Sequence, residues 1–237
     1  MLADGVKNIG NGEISKGLEV DASIHAVVHF IDQYFPRFAE KVRGEITTSE
    51  SSLTDKLCTY FNRQASEYPF FFQPEKLQDH TTGQSARADL GTMSQNENMG
   101  VGDYSYQEWE SFFAIEAKRL PTPGHNRQRE YVIGQEKENG GIERFKKRIH
   151  GSDLEYSAII AYVQKEDFEY WYIKINDWIG ELIANTSGEW KEEDKLIKTP
   201  SYSGPLARFQ SDHQKNTEEP PDKIRLFHFW IALAEEE

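Results

Sequence analysis

Phe112-Phe113-Ala114-Ile115-Glu116-Ala117-Lys118-Arg119-Leu120 is an apolar run whose second half carries a carboxylate and an ammonium two residues apart. Side chains two apart on a strand point to the same side, so the stretch predicts a buried strand with Glu116 and Lys118 sharing one face near its end. Charge is unfavourable there unless it is paired or does chemistry. The run thus names both a layer of the fold and the point from which to look for a site.

Upstream, Ser85-Ala86-Arg87-Ala88-Asp89-Leu90-Gly91-Thr92-Met93 alternates in a way that predicts a second strand, with Arg87 and Asp89 on one side. The Asn- and Gly-rich segment 95–107 between them reads as a hairpin connection or a flap. Tyr68-Pro69-Phe70-Phe71-Phe72-Gln73-Pro74 reads as a short extended element. Hydroxyls from Thr47 to Ser52 offer N-caps ahead of Leu53, Leu57, Tyr60 and Phe61, so a helix is expected to about Ser66. Glu50 then falls at its first turn, where an acid complements the helix dipole. Cys58, among apolar helix positions, reads as a packing thiol. An amphipathic helix is expected over Leu18 to Phe38, stopping near Pro36.

Downstream of a Pro/Gly loop at 121–124, residues 127–149 form the densest cationic stretch, and Gly140-Gly141 is expected to divide it into two helical pieces around a turn. Tyr156-Ser157-Ala158-Ile159-Ile160-Ala161-Tyr162-Val163 is a buried strand by composition. A helix follows over 167–185, ending near Gly188, then a polar linker at 186–200. Two final strands, around Ala207 to Ser211 and Lys223 to Leu233, flank a Pro220-Pro221 loop. The order implies an α/β layered fold forming a single domain over 1–237.

The chain has 237 residues, 37% apolar and 13% aromatic, with 14 Phe, 11 Tyr and 5 Trp to supply buried area. One cysteine excludes an internal disulfide. With no signal-peptide pattern in the first thirty residues and no apolar run long enough to span a bilayer, a soluble cytoplasmic protein without a membrane partner is expected. A net charge of -13, from 40 acids against 27 Lys and Arg, argues against indiscriminate adhesion to nucleic acid. An enzyme acting on it would need a local basic strip and metal ions.

Phosphodiester hydrolysis uses a metal to polarise the phosphate and acidify a water, with a positive group near the developing charge. Magnesium takes oxygen ligands, so Asp89 and Glu116 on adjacent strands are the expected cradle. Lys118, on Glu116's face, would orient or deprotonate the water or stabilise the pentavalent phosphate. A second acid-any-Lys triplet, Glu193-Asp194-Lys195, lies in a polar charged stretch with neither a strand nor an upstream acid, and is set aside.

Glu50 in its helix, Asp89, Glu116-Ala117-Lys118, the basic helical region and strand 156–163 together resemble the PD-(D/E)xK nuclease superfamily, over roughly residues 48–165. Ala88 stands where that family has a proline. The resemblance implies a restriction-endonuclease-like mixed sheet flanked by helices, here with an extra N-terminal helix and C-terminal strands. It implies Mg²⁺ or Mn²⁺ held by Asp89, Glu116 and the Ala117 carbonyl, catalysis by Asp89, Glu116 and Lys118, with Glu50 joining through a second metal or a water, and nucleic acid, DNA before RNA, as substrate. Gln135, Arg144, Lys147 and Arg148 are weaker nucleic-acid-binding candidates, each set against a solvated surface or an internal ion pair. His125 reads as a loop residue. Against the nuclease stand an inert binding or assembly module of the same fold and an acidic interaction protein. A homodimer stays open.

Overall fold

The computed structural model describes residues 22–77, 86–124, 127–135, 140–199, 205–217 and 219–234. Helices α1 (Ala22–Lys41) and α2 (Glu50–Gln64) precede strands β1 (Phe70–Leu77) and β2 (Arg87–Ser94). A hairpin of β3 (Asn98–Val101) and β4 (Tyr104–Gln107) leads into β5 (Ser111–Leu120). Then come α3 (Gly141–Lys146), β6 (Tyr156–Val163), α4 (Phe168–Asn185), β7 (Ile197–Lys198), β8 (Leu206–Gln214) and β9 (Lys223–Ala232).

Seven strands make one mixed sheet in the order β1-β2-β5-β6-β9-β8-β7. Its centre, β5-β6-β9, is parallel, and its wings are antiparallel. Every residue of β6 is buried, as a parallel strand covered on both faces requires.

The two faces differ in chemistry. On one, α1 and α2 pack Phe30, Phe35 and Phe61 against one another and the sheet, and Tyr162 of β6 meets Phe35 and the Thr54 hydroxyl. On the other, covered by α3, α4 and the segment before α3, the strands present polar groups among the apolar ones. Pairing puts Ala114 beside Ser157, Glu116 beside Ile159 and Lys118 beside Ala161, and Ile159 beside His228 and Ala161 beside Trp230.

Three sequence expectations are corrected. α1 continues past Pro36 to Lys41, because Phe38 and Ala39 beyond the proline are buried in the core and hold the last turn against the lost hydrogen bond. Among the described residues of 127–149 the one α-helix is α3, and Gly140-Gly141 begins it instead of standing in a turn between two helical pieces. The N–H groups of Gly141, Ile142 and Glu143 donate to the carbonyls of Glu130, Tyr131 and Val132. A Cβ on Gly140 would lie 2.3 Å from Ile133 Cα, so the glycine serves a close backbone approach. The linker 186–200 contains a 3-10 turn, Glu192–Asp194, and edge strand β7, tied to α4 by Asn176, whose side chain bonds the Leu196 N–H and carbonyl.

Candidate functional site

β2 and β5 pair at Leu90 and Ile115, and one step further the ladder gives way to side chains. Asp89 Oδ2 accepts from the Ala117 N–H at 2.7 Å. Glu116 Oε1 accepts from Lys118 Nζ at 2.6 Å. Glu50 Oε2, from the first turn of α2, accepts from the Arg119 N–H at 2.9 Å. Three carboxylates from three elements thus converge on consecutive donors at the carboxyl end of β5, where ligands bind in open α/β sheets.

Burial sets the electrostatics. It pushes Asp89 up to about 8, with Glu116 adding to the rise and Lys118 opposing it. Glu50 also rises by burial, against the pull of Lys118. Glu116 behaves oppositely: its burial is outweighed by Lys118, His150 and Arg144, which hold it below the usual carboxylate range. Lys118, 6% exposed, is disfavoured as a cation by burial but favoured more strongly by Glu116, Glu50 and Asp89, so its affinity for the proton is raised. Lys118 is thereby held as a fixed positive charge among the carboxylates.

The secondary candidates separate. Arg144, from α3, donates through Nη1 to Glu116 Oε1 at 3.0 Å and so belongs to the site. Lys147 pairs with Glu143 at 2.8 Å, and Arg148 donates to the Glu219 carbonyl and lies 3.5 Å from Asp153; both are engaged within the fold. Gln135 is exposed. His125 lies outside the described residues. Cys58 is buried, and burial with nearby Asp55 pushes its thiol up to about 11, which suits packing.

His150 escapes sequence reading, since a lone histidine after a basic helix carries no spacing signal. It is fully buried, with Nδ1 3.1 Å from Glu116 Oε2 but off the line a hydrogen bond needs. Glu116 Oε2 consequently has no hydrogen-bond donor.

Further along the same face lies a second buried polar cluster. Lys146 Nζ donates to Asp194 Oδ1 at 2.7 Å, and His213 Nδ1 is 2.5 Å from the same oxygen. Ser211 Oγ bridges His213 Nε2 at 2.6 Å and His228 Nε2 at 2.8 Å. His228 Nδ1 meets the Tyr131 hydroxyl at 2.7 Å, which accepts from Trp230 Nε1 at 2.8 Å. Burial lowers both histidines, although Asp194 opposes it at His213. One set of tautomers satisfies all of them: His213 carries its proton on Nδ1, Ser211 donates to His213 and accepts from His228, and Tyr131 donates to His228. Asp194 is therefore not in a solvated stretch, as its acidic neighbours imply, but buried at 1% exposure. Ser211, His213 and Asp194 stand in the order of a nucleophile relay. Ser211, however, is 1% exposed and its oxygen already accepts from His228, so no substrate reaches it.

Comparison of the chain with family models, curated proteins and solved structures finds no match. No described helix is long and apolar enough to cross a membrane. Among the described residues, no group of three or more His, Cys, Asp or Glu side chains is disposed to hold a metal ion.

Proposed function

We propose that the chain is a metal-dependent nuclease of restriction-endonuclease-like fold that hydrolyses phosphodiester bonds in DNA. The observation that carries this reading is the convergence of Glu50, Asp89 and Glu116 on the end of β5 around Lys118. Glu116 raises the proton affinity of Asp89 and of Glu50, and Glu50 that of Asp89, and carboxylates so gathered favour a cation among them.

Oxygen donors are the kind that a hard divalent ion takes. The donors here are oxygens, and Glu116 Oε2 is buried without a hydrogen bond. Asp89, Glu116 and the Ala117 carbonyl would hold Mg²⁺ or Mn²⁺, a set with only two acidic side chains, and Glu50 would join through water. Bound there, the ion would polarise a phosphate oxygen and lower the pKa of a water. Lys118, kept protonated by its carboxylate neighbours, would offset charge on the phosphate in the transition state. Arg144, 27% exposed while bonded to Glu116, is the cation best placed to meet a phosphate from solvent.

A second reading, an inert binding module of the same fold, is favoured by one observation: Glu116 is held by Lys118 and Arg144 and is 1% exposed. Cleavage of duplex DNA, single-stranded DNA and RNA with Mg²⁺ or Mn²⁺ tests the first reading. Wild type should nick plasmid DNA and Lys118→Ala should not. If wild type neither cleaves any of these nor takes up Mn²⁺ by calorimetry, the inert module is the better account.

A further inference from the structure

α3 has six residues, too few to be stable by itself, yet it carries the arginine that contacts Glu116. Its N-terminal amides rest on the carbonyls of residues 130–132. Its C-terminal end is held from elsewhere. Lys146 Nζ donates to Asp194 Oδ1 at 2.7 Å, and the Lys146 carbonyl accepts from the Asn216 N–H at 2.8 Å. Asp194 and Asn216 both lie in the chain beyond α4, outside the stretch that resembles a nuclease core.

We propose that Asp194 is a positioning residue: through Lys146 it fixes the depth and rotation of α3, and thereby seats Arg144 on Glu116. This gives the C-terminal segment a part in the site, and it rests on the nuclease reading only for what that site does.

Asp194 is suited to act as a fixed point. Its Oδ1 takes Lys146 and His213, and its Oδ2 accepts from the Lys191 N–H at 2.7 Å. His213 is in turn held by the chain of Ser211, His228, Tyr131 and Trp230. Apart from Lys146, every one of these partners belongs to a strand, a turn or the segment before α3, so movement of the carboxylate would disturb the sheet. Lys146 is buried at 3% exposure, with its ammonium 4.9 Å from the Trp190 ring centroid. Deprived of Asp194, that ammonium must reach for water and carry the end of α3 with it. Arg144 is two residues away. A buried ion pair contributes little stability beyond what an apolar pair of the same volume gives, whereas its geometry is specific. Its use at this place suits location rather than strength.

The test reads the side-chain guanidinium N–H resonance of Arg144 in the full chain, assigned by its disappearance in Arg144→Lys, without substrate or metal. Lys146→Met cuts the tie while leaving Asp194 on His213. In Lys146→Met the resonance should move toward its position in Glu116→Gln and exchange its hydrogens about tenfold faster. Lys146→Arg, which can pair with Asp194 again, should return it. An Arg144 resonance unchanged in position and exchange in Lys146→Met overturns the proposal, even if the melting temperature falls. Should Lys146→Met fail to fold, Asp194→Asn replaces it: a shifted, faster-exchanging Arg144 resonance supports the proposal and an unchanged one overturns it. A wild type that shows the coupling but cleaves nothing keeps the positioning and removes the nuclease reading. A wild type that cleaves while Arg144 ignores Lys146 does the reverse.

Discussion

Asp89 takes the Ala117 N–H at 2.7 Å in the place where the β2–β5 ladder would continue. The bond ties a site carboxylate to the backbone between Glu116 and Lys118. The same burial that aligns it raises its proton affinity to about 8 from an ordinary 3.8. Between those values the native chain holds a proton that the unfolded chain has released, so this group's contribution to stability is full below about pH 4 and is lost as pH rises toward 8. Asp89→Asn keeps the acceptor and removes the titration. Its melting temperature should match wild type near pH 4 and exceed it by a margin that grows to pH 8. A margin independent of pH refutes the assignment.

Glu116 is the counter-charge for Lys118 and Arg144. Glu116→Ala leaves the Lys118 ammonium buried and unpaired, and should cost about 3–5 kcal/mol in urea unfolding. Adding Lys118→Met should recover much of that loss, since the buried ammonium then no longer lacks its partner. Equal destabilisation in the single and double variants would show that Lys118 finds another partner when Glu116 is gone.

Gly140 permits the close approach of α3 to residues 131–133. Gly140→Ala should destabilise by about 1–3 kcal/mol through overpacking against backbone that cannot rotate away. Gly100→Ala, where a Cβ meets nothing within 4 Å, should stay within about 0.5 kcal/mol of wild type. Calorimetric melts of the two variants make the comparison.

Cys58 is buried with its thiol pushed up to about 11. In the native protein at pH 8 it should not react with a chromogenic disulfide reagent on a timescale of minutes, and it should react at once in guanidinium. Rapid native labelling would mean that α2 opens locally.

Much of the fold is legible from local pattern. The apolar run at 112–120 becomes β5 because a central strand covered on both faces is buried almost throughout, the alternation that begins at Arg87 becomes β2, and Glu50 lies at the N-terminus of α2 because Ser49 caps it. Asp194 is hidden from such reading for a physical reason: its neighbours Glu192 and Glu193 are exposed, and composition averages over neighbours. What buries Asp194 is a partner 48 residues away. His150 is hidden similarly, because its tie to Glu116 is set by how α3 docks. The glycine pair misleads because its role is an inter-segment contact, and sequence presents glycine first as a helix breaker.

The fully buried strand β6 has its two sheet neighbours on opposite sides of it in the chain, β5 before and β9 well after. During synthesis, therefore, helices, β5 and β6 are made long before β9 exists, and β6 waits with one edge of unpaired amides and carbonyls flanked by apolar side chains. Such an edge invites association with other chains. A chain ending before Lys223 should accordingly form inclusion bodies rather than a smaller soluble protein. In the full chain, the last strand's arrival, a non-local and therefore slow step, should set the rate of refolding and its sensitivity to protein concentration.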